Sequence, residues 1–121
     1  MRARAAARVL RTMSTAKKNR ALREMAKAIL ARRAEIESAN AKDLAADLPD
    51  AKKDRLRIDV DAVARGLRDV AGLPDPVGRV EKRRPKGRFR LFRVRVPIGV
   101  VLFVYEARPG VTAEGQWTQV S

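Results

Sequence analysis

The stretch Gly99-Val100-Val101-Leu102-Phe103-Val104-Tyr105 decides the fold class, because it is apolar without interruption. A strand with one wet face alternates apolar and polar residues, whereas a strand buried on both faces of a parallel sheet is a continuous apolar run. A polar segment, Glu106-Ala107-Arg108-Pro109-Gly110, follows at once. We therefore predict an α/β fold with one buried strand, and a ligand site just beyond the carboxyl end of that strand, at residues 105–110.

A β-hairpin is predicted immediately before this strand. Its arms are Arg79 to Arg84 and Arg88 to Val96, and Pro85-Lys86-Gly87 between them is typical of a tight turn. The second arm changes phase, because Phe89 and Leu91 share one face while Phe92, Val94 and Val96 share the other. Adjacent Leu91 and Phe92 therefore indicate a bulge or a change in the covered side.

Residues 1 to about 73 are Ala-rich and show helical periodicity, and the two prolines of Leu73-Pro74-Asp75-Pro76-Val77-Gly78 separate them from the hairpin. Ser14 or Thr15 can cap a helix, and Asn40 stands where a helix could break or restart. The apolar side of that helix contains Leu22, Met25, Ile29 and Ile36, with Arg33 beside them. Asp59 is predicted to cap a further helix that Gly72 ends. Its apolar residues are Val60, Val63, Ala64, Leu67, Val70 and Ala71.

The composition excludes several kinds of site. The 121 residues include 28 Lys+Arg against 14 Asp+Glu, a net charge of +14, with no His and no Cys. Cysteine nucleophiles, His-based metal sites and Ser-His triads are therefore absent. The length allows one domain or a piece of one, and no apolar run reaches the roughly 20 residues that span a bilayer. The Arg-rich, acid-free start indicates either an exposed helix or an organelle-targeting segment.

Two groups of basic residues are candidates for binding. Arg108 can hold a carboxylate or phosphate in forked geometry, or it can pair with Glu106 or a helix end. The hairpin combines Phe89 and Phe92 with nine cations, a pattern that also occurs in nucleic-acid surfaces. The cations are Arg79, Lys82, Arg83, Arg84, Lys86, Arg88, Arg90, Arg93 and Arg95. The two rings, however, cannot both face a nucleic acid if one side of the hairpin is core. A solvated or subunit-facing hairpin therefore stands as the alternative to a nucleic-acid surface.

Five segments together resemble γ-glutamyl phosphate reductase, a family of the aldehyde dehydrogenase superfamily. In order they are Ala39-Asn40-Ala41-Lys42-Asp43-Leu44, Asp54-Arg55-Leu56, Gly66 to Gly78 ending in Leu-Pro-Asp-Pro-Val-Gly, Val94-Arg95-Val96-Pro97-Ile98-Gly99-Val100-Val101, and Tyr105-Glu106-Ala107-Arg108-Pro109. They cover about residues 5 to 113. The resemblance implies a cytoplasmic, metal-free oxidoreductase of proline biosynthesis that uses NADPH to reduce γ-glutamyl phosphate to glutamate 5-semialdehyde through a cysteine thioester.

Carried over by position, the resemblance places Val104, Tyr105 and Glu106 at the cofactor and Arg108 at the substrate. It divides the chain into a helical part of the cofactor domain (1–76), an oligomerisation hairpin (77–98), the first strand and loop of the cofactor domain (99–113) and an atypical tail (114–121). Homo-oligomers can form through the hairpin, and neither a membrane nor a nucleic acid is an expected partner.

The sequence departs from the family in three places. Gly110 replaces the usual Asn, residues 114–121 do not match, and the catalytic Cys is missing. We therefore expect a truncated or frame-shifted N-terminal fragment with no catalytic residue of its own, inactive alone. A small basic nucleic-acid-binding module is the alternative.

Overall fold

The computed structural model describes residues 2–82, 87–106 and 108–112. Its elements are α1 (Arg2–Arg11), α2 (Thr15–Ala31), α3 (Arg33–Leu44), α4 (Asp50–Leu56), α5 (Val60–Val70), β1 (Val80–Lys82) and β2 (Phe92–Val94). Helices followed by a small antiparallel sheet confirm the mixed α/β class.

The core lies between α2 and α5. Leu22 and Ala26 of α2 pack with Ala64 and Leu67 of α5 and with Ala71, and all five side chains are buried. Three of the five residues are alanine and two are leucine, and none is aromatic. The core between the two helices is therefore small and aliphatic. α1, by contrast, buries no residue.

The helix that begins after Ser14 ends earlier than the apolar pattern predicts. Arg32, with φ −100° and ψ 17°, interrupts it, and Ile36 belongs to the separate helix α3. The break therefore falls at Arg32 and not at Asn40, which is buried inside α3. Asn40 is needed there because its side chain donates to the Leu56 carbonyl at 2.8 Å and accepts from the Ile58 amide at 3.2 Å. These bonds hold the end of α4 against α3.

The predicted N-cap of α5 is confirmed. The Asp59 carboxylate accepts from the Ala62 amide at 2.9 Å, which satisfies a helix N–H that has no partner within the helix. Val60, Ala64 and Leu67 are the buried residues of α5. The helix ends at Val70, just before the predicted glycine stop, and the Gly72 amide donates to the Asp69 carbonyl at 2.9 Å.

The hairpin is also confirmed, with shorter strands than the sequence predicts. β1 and β2 are antiparallel, and Val80 faces Val94 while Glu81 faces Arg93. The register continues outward, since the Arg95 amide donates to the Arg79 carbonyl at 3.1 Å. Of the predicted turn, Pro85 and Lys86 lie outside the described residues, and Gly87 has the positive φ of 64° that favours glycine.

The buried strand predicted over residues 99–105 is wrong for this chain. None of these residues belongs to a strand, and Leu102 and Val104 are 86% and 90% exposed. The physical reason is that burial on both faces requires neighbouring strands and covering helices. The described residues contain a single two-stranded sheet, β1-β2, which provides neither for this segment.

Candidate functional site

The residues predicted to form the site follow one another on an exposed segment. Val104 is 90% exposed and Tyr105 is 46% exposed, and Glu106 and Arg108 are exposed as well. Position 107 is outside the described residues. Glu106 and Arg108 form no ion pair with each other or with any other described residue. The Arg108 guanidinium is therefore free, in this part of the chain, to bind an anion.

The loop after Arg108 has a defined shape. The Val111 amide donates to the Arg108 carbonyl at 3.1 Å, and the Thr112 amide donates to the Pro109 carbonyl at 3.2 Å. The Tyr105 hydroxyl and the Thr112 Oγ1 lie 2.5 Å apart, so the loop folds back on the residues predicted to contact the cofactor. Gly110 lies beside α5, because a Cβ added there would lie 3.9 Å from Cγ2 of Val63.

Val104, Tyr105 and Glu106 do not by themselves fit a dinucleotide. Ligand sites bury most of the ligand surface, whereas these side chains are open to solvent. The sequence contains no Cys and no His, so this chain supplies neither a thiolate nor an imidazole. The described residues contain no cluster of three or more acidic, His or Cys side chains suited to a metal ion. Among the described helices, none combines the length and apolar character needed to cross a membrane.

Sequence reasoning missed a buried ion pair centred on Asp75. The Asp75 Oδ2 accepts from the Lys18 ammonium at 3.0 Å and from the Thr15 hydroxyl at 2.9 Å, and its Oδ1 accepts from the Val77 amide at 2.9 Å. The side chains of Lys18 and Asp75 are only 7% and 13% exposed. The Pro-Asp-Pro segment is therefore fixed to the start of α2. The Asp-x-Val spacing is the local signal, since Asp commonly accepts from the amide two residues on.

Opposing effects set the pKa of Asp75. Burial raises the pKa of this carboxyl, but the hydrogen bonds from the Val77 amide, Lys18 and Thr15, together with the Lys18 charge, outweigh it and lower the pKa below its ordinary value of 3.8. Asp75 therefore remains a carboxylate at neutral pH, which is the form that Lys18 needs as a partner.

A second ion pair joins α3 to α5 on the surface. The Arg33 guanidinium donates to the Asp61 carboxylate, and Arg33 also lies 3.4 Å from Glu37. The hydrogen bond from Arg33 lowers the pKa of Asp61. These side chains are partly exposed, so solvent screens the pair, and we assign it a role in orienting the helices.

A groove of about 420 Å³ lies between α1 and the hairpin. One wall is formed by Ala3, Ala6, Ala7, Leu10 and Arg11 of α1, and the other by residues 93–99, and Lys18, Pro76 and Val77 complete the lining. None of Val104, Tyr105, Glu106 and Arg108 borders it. The groove is therefore separate from the predicted cofactor and substrate residues.

Comparison with known proteins identifies the family. The family model described as "Aldehyde dehydrogenase family" matches residues 1–105. The chain is 51% identical to the γ-glutamyl phosphate reductase of Gluconobacter oxydans (strain 621H) over 121 residues, and this match includes 93% of the chain. It is 48% identical to the γ-glutamyl phosphate reductase of Xylella fastidiosa (strain M23) over 118 residues, which include 90% of the chain. In both cases it spans 28% of the relative's length.

Solved structures agree with this result. The crystal structure of γ-glutamyl phosphate reductase from Thermotoga maritima superimposes with a TM-score of 0.83 at 34% identity, over 98% of this chain and 31% of that one. The Saccharomyces cerevisiae enzyme of the same name gives a TM-score of 0.82 at 35% identity, over 95% and 31%. The helices and hairpin described above therefore have the arrangement of the corresponding part of a reductase. The chain belongs to the aldehyde dehydrogenase family.

Proposed function

We propose that this chain is the N-terminal part of a γ-glutamyl phosphate reductase, which reduces γ-glutamyl phosphate to glutamate 5-semialdehyde with release of phosphate in proline biosynthesis. The main support is that nearly the whole chain aligns with reductases of that name, at 51% identity in sequence and at a TM-score of 0.83 in structure. The chain spans less than a third of those proteins, so it supplies one part of the site.

Arg108 is the residue of this chain that we assign to the substrate. Its guanidinium is exposed and has no ion-pair partner among the described residues, while the bonded loop 108–112 fixes its backbone. A guanidinium can hold the oxygens of a carboxylate or phosphate with two parallel hydrogen bonds, and γ-glutamyl phosphate has both groups. Arg108 therefore binds and orients the substrate in this proposal.

The nicotinamide cofactor of the family supplies the hydride, and we propose that here it is NADP. Val104, Tyr105 and Glu106 are assigned to its site, which needs further strands and loops to enclose it because these residues are open to solvent. The proposal includes the division of the chain into helical part (1–76), hairpin (77–98), the segment assigned to the first strand and loop of the cofactor domain (99–113) and tail (114–121). The strand of the third segment would need neighbouring strands that the described residues do not provide. It also includes a cytoplasmic location and homo-oligomers formed through the hairpin.

A chimeric enzyme tests the assignment. Residues 1–112 of this chain would replace the matching segment of the Gluconobacter oxydans reductase, and NADPH-dependent reduction of γ-glutamyl phosphate would be measured. We expect the chimera to be active and the 121-residue chain alone to be inactive, because it has no cysteine. A chimera that folds and binds NADPH but does not reduce this substrate would refute the proposed activity.

Arg108 is tested in the same chimera. Arg108→Ala removes a charged contact, typically worth about 1.5–3 kcal/mol, so KM for γ-glutamyl phosphate should rise roughly 10- to 100-fold. Arg57→Ala, which changes another exposed arginine, is the matched control and should leave KM unchanged. An unaltered KM in Arg108→Ala would remove Arg108 from the substrate site.

A further inference from the structure

The groove between α1 and the hairpin is strongly basic. Four cationic residues line it, Arg11, Lys18, Arg93 and Arg95, and no acidic residue does. α1 adds Arg2, Arg4 and Arg8 and contains no acidic residue. A groove lined by positive charges attracts and concentrates anions. The volume of about 420 Å³ is within the usual range of ligand sites.

Two of the four cations are available to a ligand. Lys18 is bound to Asp75, and Arg95 lies 3.6 Å from Glu81. The side chains of Arg11 and Arg93 have no hydrogen bond or ion pair with any described residue. They come from opposite walls of the groove, so an anionic chain lying between them would meet a positive charge on each side.

Apolar surface lies next to these charges. Val94, Val96 and Ile98 line the same groove, and they are 52%, 71% and 86% exposed. Phe89 and Phe92 are 75% and 53% exposed. Neither ring is buried in a core, so both can face a nucleic acid. The two rings do not line the groove themselves. Within it, the cations can follow the phosphates of an unpaired strand, and the exposed aliphatic side chains can contact its bases.

We propose that this groove binds single-stranded nucleic acid, with Arg11 and Arg93 on phosphates and the Val94, Val96 and Ile98 side chains against bases. This activity is additional to the proposed reduction and uses none of Val104, Tyr105, Glu106 or Arg108. Because Arg93, Val94 and Val96 belong to the hairpin that we assign to homo-oligomers, nucleic acid would bind the chain whose hairpin is not engaged by a second copy. The protein groove is concave, so it can enclose a single strand. A protein that reads duplex DNA instead needs a projecting element that enters the major groove of the DNA.

Fluorescence anisotropy of a fluorescein-labelled oligothymidylate, titrated with the 121-residue chain over a series of salt concentrations, tests the proposal. We expect affinity to fall as salt rises. For single strands each phosphate contact adds about 0.7 to the salt slope, so Arg11→Gln/Arg93→Gln should lower the slope by about 1.4 and the affinity at about 0.1 M salt by about 25-fold. The control Arg55→Gln/Arg57→Gln has the same net charge, lies outside the groove and should retain the wild-type slope.

Several results would overturn the proposal. These are equal losses in the two double variants, tighter binding of a duplex of the same length, or binding to phosphatidylserine vesicles without binding to the oligonucleotide. Photo-crosslinking of a 4-thiothymidine oligonucleotide to the wild-type chain gives a test that needs no folded variant. The crosslinks should fall in α1 and residues 93–99, and crosslinks confined to other regions would refute the groove. The chimera assay measures reduction of γ-glutamyl phosphate and the anisotropy assay measures oligonucleotide binding. Failure of one proposal therefore leaves the other intact.

Discussion

Replacing Asp75 by Asn should release the hairpin segment from α2. The change leaves an amide oxygen for the Val77 amide but removes the negative charge that Lys18 and Thr15 contact at 3.0 and 2.9 Å. Lys18 would then be a cation with a side chain only 7% exposed and no counter-ion. Breaking a buried pair from one side costs about 3–5 kcal/mol. We expect about 3 kcal/mol, because Thr15 is exposed and can bind water instead.

Hydrogen-exchange mass spectrometry measures this cost locally. A loss of about 3 kcal/mol corresponds to exchange roughly 100-fold faster in the peptide that contains Val77 and Gly78, whose amide donates to the Arg95 carbonyl. Asp47→Asn, at an exposed position outside the helices, is the control and should leave exchange unchanged. The double variant Lys18→Met/Asp75→Asn should recover part of the loss. Additive effects of the two single changes would show that the pair is not coupled.

Three further changes test other parts of the structure. Asn40→Ala removes both side-chain bonds to the 56–58 linker, so exchange in α4 should rise by the equivalent of about 2 kcal/mol, and unaltered α4 exchange would contradict this. Leu67→Ala opens the α2–α5 core and should lower helix stability, followed by circular dichroism in urea, by about 2–5 kcal/mol, more than Leu73→Ala at an exposed position. Because the pKa of Asp75 is lowered, its stabilisation is complete above its ordinary pKa of 3.8 and is lost as pH falls further. A pH series of the same exchange experiment should show this loss in the wild type and not in Asp75→Asn.

Local signals in the sequence predicted those elements that depend on nearby residues. The cap, the apolar spacing and the end of α5 all lie within the segment from Asp59 to Gly72, so the sequence of that segment predicted all three. The hairpin likewise depends on adjacent arms. The Asn40 bonds and the bonds from Asp75 to Lys18 and Thr15 join residues 16 to 60 positions apart, so no local pattern revealed them. The strand over residues 99–105 depends on neighbours that the described residues do not provide, and apolar composition alone could not show this.

The sequence predicted only part of the candidate site. Residue types suggested Arg108 as an anion-binding group, and the structure leaves it exposed without an ion pair among the described residues. The bond between Tyr105 and Thr112 could not be foreseen, because it depends on how the loop turns back. The groove was also invisible, since its walls come from α1 and from residues more than eighty positions later.

The alanine-rich contact between α2 and α5 limits how this part of the chain can vary. Ala26, Ala64 and Ala71 are at most 1% exposed, so the two helices approach at positions where a methyl group fills the available space. A larger side chain at any of these positions would have to push the helices apart, since tightly packed interiors accommodate added volume poorly. Only glycine is smaller, and it would weaken either helix. Substitution at this contact is therefore restricted toward both larger and smaller side chains.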